Sequence, residues 1–144
     1  MKTLLPILLA VGIVFAQDGG DAKGKGKKQR SEAHVLTNAE FDALLAKPDQ
    51  LLIIDVRRPD EVKDNGGFPV YLSIQANELG KRLEWIPKDR IIVTVSNHAA
   101  RGGGAADTLT KAGFKVAGTI GAQTYEEAGG KLTRIAAPQT AAKQ

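Results

Sequence analysis

Two short runs of aliphatic residues, LLIIDV at 51–56 and RIIVTV at 90–95, most constrain what this chain can fold into. Each is too short to form a helix of its own, and neither alternates apolar with polar residues. Continuous apolar character over five or six residues implies a strand covered on both faces, the condition of strands inside a parallel sheet. Helical patterns lie between and around them. LTNAEFDALLAK places Thr37 as N-cap, Glu40 at capping-box spacing, and Phe41, Leu44 and Leu45 on one face. Pro59 in RRPDEVKDN suits a first helical turn.

The pattern continues to the end of the chain. VYLSI at 70–74 is a shorter strand candidate, and ANELGKRLEWI reads as a helix with Leu79, Leu83 and Ile86 on one stripe. Trp85 on that helix is expected to pack against the core or an edge. GAADTLTKAG is a helix closed by Gly113, KVAGTI a last strand, and TYEEAGG a short helix ending in glycine. This order predicts an α/β fold with a mainly parallel central sheet of about five strands and helices on both faces. Ligands of such sheets sit at the carboxyl ends of the strands, which here is the loop opening at Ser96.

The two ends of the chain read differently from its middle. MKTLLPILLAVGIVFA has a lysine followed by an apolar run from Leu4 to Phe15, with Val14 and Ala16 at the small-residue positions of a cleavage site. Residues 1–16 are therefore expected to be a signal peptide, too short to span a bilayer comfortably, with no stable membrane span after cleavage. The product is expected in the periplasm or secreted. Residues 17–33 form a basic Gly/Lys-rich linker, 34–136 the folded domain and 137–144 a frayed tail.

The net charge of +4 belongs largely to the N-terminal segment: residues 17–30 carry five basic and two acidic groups, whereas fourteen of each follow from Ser31 onward. A neutral domain behind a solvated basic segment gives no footprint for nucleic acid. The chain has no cysteine, which removes disulfides, thiolate metal ligands and all thiol chemistry. Its two histidines, His34 and His98, are too few for a metal site in themselves, and no cofactor is implied.

From about Val35 to Ile135 the chain resembles a rhodanese-like domain. Four segments carry the likeness: LLIIDVRRPDEV, NGGFPVYLSIQ, IIVTVSNHAARGGG and AGFKVAGTIGAQTYEEAGG. The resemblance implies that the loop after the third of these strands is the active loop, CxxGxR in the family. Here it reads SNHAAR, so Ser96 stands at the catalytic cysteine, Ala99 at the glycine and Arg101 at the arginine. Gly67 stands at the histidine of the family's GHIPGA segment, and Tyr125 where tryptophan is common.

A serine hydroxyl stays protonated near neutral pH and has no stable counterpart of the persulfide that carries sulfur. Sulfur transfer by a cysteine persulfide is thus excluded, and Ser96 marks a degenerate nucleophile position. TVSNH also lacks the elbow of a serine hydrolase. What the resemblance leaves is an anion-binding loop, Ser96, Asn97, His98, Ala99, Ala100 and Arg101, in which backbone N–H groups and Arg101 would cradle an oxyanion. Asp55 and Arg57 are expected to support it as a salt bridge. Gly102, Gly103 and Gly104 allow close approach to the helix that follows, or record relaxed selection. The functions implied are a catalytically silent module that binds a small oxyanion or a protein partner, or an enzyme acting on such an oxyanion without a persulfide.

Overall fold

The computed structural model describes residues 30–134. The expected signal peptide, the expected linker up to residue 29 and the expected tail fall outside these residues. The elements are α1 (Asn38–Leu45), β1 (Leu51–Asp55), α2 (Pro59–Asn65), β2 (Leu72–Ser73), β3 (Ile91–Ser96), α3 (Ala100–Lys111), β4 (Lys115–Gly121) and α4 (Ala122–Glu127). All four strands are parallel, in the order β2-β1-β3-β4. A fifth strand is reduced to one bridge: Val35 pairs in parallel with Thr119, with Leu36 N donating to Thr119 O and Thr119 N to His34 O.

The two aliphatic runs feed both sides of this sheet. Ile53, Val93 and Val95 point into one core with Phe41, Phe68, Ile120 and Tyr125, whereas Ile54 and Ile92 point into a second with Ala105, Leu109 and Phe114. The first core lies under α1 and α4, the second under α3. This two-sided burial is why the runs do not alternate. In the first core Phe41, Phe68 and Tyr125 meet edge to face with centroids 4.8 to 5.5 Å apart, the arrangement that ring quadrupoles favour.

Thr37 caps α1 through a complete capping box with Glu40, and Pro59 opens α2. At Gly118 the pairing of β3 with β4 shifts by one residue, and φ is +154°. A Cβ there would lie 2.4 Å from His34 O, so the glycine is what lets the His34–Leu36 stretch approach the edge.

One segment folds differently from its pattern. ANELGKRLEWI forms two 3-10 turns, Leu79–Lys81 and Leu83–Trp85, instead of an α-helix. Gly80 weakens a helix at its middle and Pro87 ends it, so a helix this short gains little from i to i−4 bonds. Apart from Leu79 N to Gln75 O, the bonds made are i to i−3, such as Arg82 N to Leu79 O and Ile86 N to Leu83 O. Leu79 and Ile86 are buried and Leu83 packs beside them as the stripe predicts. Trp85 does not: it is 60% exposed, with the Arg82 guanidinium 4.3 Å from its ring centre. A 3-10 turn brings residues three apart into line, which puts Leu83 and Ile86 inward and leaves Trp85 outside.

Candidate functional site

The chain leaves β1 toward β2 on one side of the sheet and reaches β3 and β4 on the other. The direction reverses between the carboxyl ends of β1 and β3, where ligand sites of open α/β sheets form. Asp55 ends β1 there and Ser96 ends β3.

Ser96 is 1% exposed. Its Oγ accepts a hydrogen bond from Gly102 N at 3.1 Å, within the first turn of α3. That helix begins at Ala100, and its N-cap, Ala99, has no side chain able to cap it. Ser96 supplies the missing acceptor from six residues upstream. Ala99 itself has φ +65° and is buried, the one non-glycine residue with positive φ among the described residues. The backbone is thus left-handed at the position that the resemblance assigns to glycine, at a steric cost of about 1 kcal/mol.

The loop is braced by a chain of polar contacts. Asp55 and Arg57 are both fully buried, and Arg57 donates from Nε and Nη2 to the two carboxylate oxygens, the latter at 2.7 Å. Arg57 Nη1 also donates to Asn97 Oδ1 at 3.3 Å, Asn97 Nδ2 to Glu61 Oε1 at 2.9 Å, and Gln123 N to Asn97 O at 3.1 Å. Asn97 is therefore held by the segment after β1, by α2 and by α4.

Arg101 faces the same carboxylate. Its Nη1 donates to Glu61 Oε2 at 2.8 Å and its Nη2 to Oε1, a two-pronged pair. Glu61 accepts from Arg58 N as well. The Arg101 hydrogen bonds hold the Glu61 carboxyl far below its usual range, at about 2, and the carboxylate in turn raises the Arg101 guanidinium. Glu61 is the site residue that sequence reasoning passed over. Its signal was its place three residues after Arg58, the spacing of a carboxylate that closes a helix start, obscured because Arg58 is not a usual cap.

The six loop residues divide into two groups. His98, Ala99, Ala100 and Arg101 line a cavity of about 570 Å³ whose opposite wall is Arg30, Ser31, Ala33 and Val35. Ser96 and Asn97 do not line it; they face inward to the helix cap and the brace. Ala100 N donates to His98 O at 2.9 Å and Gly103 N to Ala99 O at 2.7 Å, so with Gly102 N three of the N–H groups at the start of α3 bond within the chain.

The three glycines also separate. A Cβ on Gly102 would lie 2.3 Å from Thr119 Oγ1, and one on Gly103 2.7 Å from Ser31 Oγ, whereas a Cβ on Gly104 would meet nothing within 4 Å. Thr119 and its neighbour Thr94 are buried and tie the strands to α3: Thr94 Oγ1 donates to Gly102 O at 2.8 Å and Thr119 Oγ1 to Thr94 O at 3.1 Å. His34 lies elsewhere, at the start of α1, 3.1 Å from Glu40.

The same architecture occurs in solved proteins. A rhodanese-related protein from Thermoplasma volcanium superposes with a TM-score of 0.61 at 20% identity, over 69% of this chain and 97% of that one. A rhodanese-like domain protein from Staphylococcus aureus gives 0.59 at 20% identity, over 71% and 98%. The fold is rhodanese-like. A thiosulfate sulfurtransferase from Pseudomonas aeruginosa matches with 0.59 at 24% identity, over 71% of this chain but only 20% of its own length. No protein-family model and no curated protein matches the sequence. On this rhodanese-like scaffold, SNHAAR occupies the loop between β3 and α3, with a buried hydroxyl at its first position.

Proposed function

We propose that this chain is an exported, catalytically silent rhodanese-like module that binds a small oxyanion at the His98–Arg101 side of its loop. The observation that carries the silent half is Ser96: its hydroxyl is buried, engaged with Gly102 N, and the chain holds no thiol to replace it. A nucleophile must reach substrate and pass its proton to a base. This hydroxyl is turned toward the helix, and the nearest histidine in sequence, His98, lies in the cavity wall.

The binding half draws support from the cavity that the loop bounds at the start of α3. The helix dipole and the guanidinium of Arg101 favour negative charge there. Glu61 offsets part of the Arg101 charge, so the expected affinity for a bare anion is weak. The apolar N-terminal run and the basic segment after it support export.

The experiment is thiosulfate-to-cyanide sulfur transfer, together with thermal shifts in thiosulfate, sulfate and phosphate, on the natural protein and on Arg101→Ala. No transfer is expected, with stabilisation by anion that Arg101→Ala reduces. Turnover abolished by Ser96→Ala would establish the enzymatic alternative. Absence of any anion shift would leave a protein partner as the ligand of the loop.

A further inference from the structure

The loop cavity is much larger than a bare oxyanion requires, and its walls are unlike an inorganic anion site. At about 570 Å³ it is far larger than the space of a tetrahedral anion, which displaces only a few waters. Sites in this size range generally take organic ligands, with apolar walls and a small number of placed polar groups. Here Ala33, Val35, Ala99 and Ala100 provide apolar wall, and Arg30, His98 and Arg101 supply the polar groups. Val35 is 58% exposed, a β-branched side chain without a covering partner among the described residues.

Arg30 has a particular place. It pairs with no carboxylate among the described residues, unlike Arg101. It lies on the rim shared with a second depression bounded by Glu32, Asp107 and Lys111, whose two carboxylates discourage an anion from settling on that side. A negative group drawn to Arg30 is therefore directed into the loop cavity.

Resting on the reading of this loop as an anion site, we propose that its ligand is an organic anion. The charged end lies between Arg30 and Arg101, and the apolar body lies along Ala33, Val35 and Ala100. Arg30, outside the loop motif, is then a binding residue. The class comprises sulfonates, phosphate monoesters or carboxylates that carry a short hydrocarbon or ring.

The test is calorimetric titration of the full chain with sulfate and with straight-chain sulfonates from methane- to hexanesulfonate, whose charge does not vary with pH. Each methylene buried along the wall tightens Kd by about fourfold, from about 0.8 kcal/mol per buried methylene. Val35→Ser, at an exposed position, flattens the rise along the series, and Arg30→Ala weakens every member. Binding of sulfate with no gain along the series overturns this proposal and leaves the oxyanion reading standing; no binding of sulfate or any sulfonate overturns both. A rise that survives unchanged in both variants places the chain elsewhere, the apolar cavity between Leu45 and Leu72 being the alternative, and also overturns it.

Discussion

Replacing Ser96 by alanine separates a structural hydroxyl from a catalytic one. In the natural protein the Oγ takes the Gly102 N–H at 3.1 Å in a buried position, at the start of a helix whose own cap residue is alanine. Ser96→Ala leaves that N–H buried without its partner, which costs about 1–3 kcal/mol. For a domain of roughly 100 residues, a loss near 2 kcal/mol lowers Tm by roughly 8–16 °C. Ser96→Cys is expected to fall between the two, because sulfur accepts a hydrogen bond only weakly. Urea unfolding followed by circular dichroism measures this: the midpoint moves down and the slope m stays unchanged. If Ser96→Ala unfolds within about 0.5 kcal/mol of the natural protein, the hydroxyl does not cap α3 and the structural role assigned to it is refuted.

Three further outcomes follow from neighbouring positions. Ala99→Gly relieves the strain of φ +65° and should stabilise by about 1 kcal/mol, read from the same unfolding curves. Gly104→Ala, facing open space in α3, should stabilise by about 0.5–1 kcal/mol, whereas Gly102→Ala, driven against Thr119, should destabilise by at least about 1 kcal/mol; equal effects would show that the close approach is not real. Glu61 and Glu40 are both held at about 2, Glu61 chiefly by Arg101 and Glu40 chiefly by the Thr37 backbone N–H. Because these are depressed carboxyls, their stabilisation is present above the ordinary value of 4.5 and disappears as pH falls toward about 2. Unfolding free energy should decline across that window, and less steeply in Glu61→Gln.

Much of the scaffold was legible because its sequence is locally consistent. LLIIDV and RIIVTV had to be strands buried on both faces, Thr37 with Glu40 had to start a helix, and Gly113 had to end one. The 76–86 segment departs from its expected helix because an apolar stripe at Leu79, Leu83 and Ile86 serves an α-helix and a pair of 3-10 turns alike. Only the low cost of abandoning a helix at Gly80 decides between them.

At the loop, the order Ser-x-x-Ala-x-Arg marked the place but not the partners. That Ser96 turns to Gly102, that Arg101 turns to Glu61 forty residues away, and that Gly102 gives room to Thr119 are facts of three-dimensional approach. Nothing in a linear spacing encodes them. Arg30 and Val35, at the boundary of the expected linker, became cavity wall for the same reason.

The central claim concerns sulfur, and intact-mass spectrometry addresses it directly. Purified protein incubated with thiosulfate, before and after adding cyanide, is expected to keep its unmodified mass throughout. A species heavier by one sulfur atom that forms with the donor and vanishes with the acceptor would contradict the account.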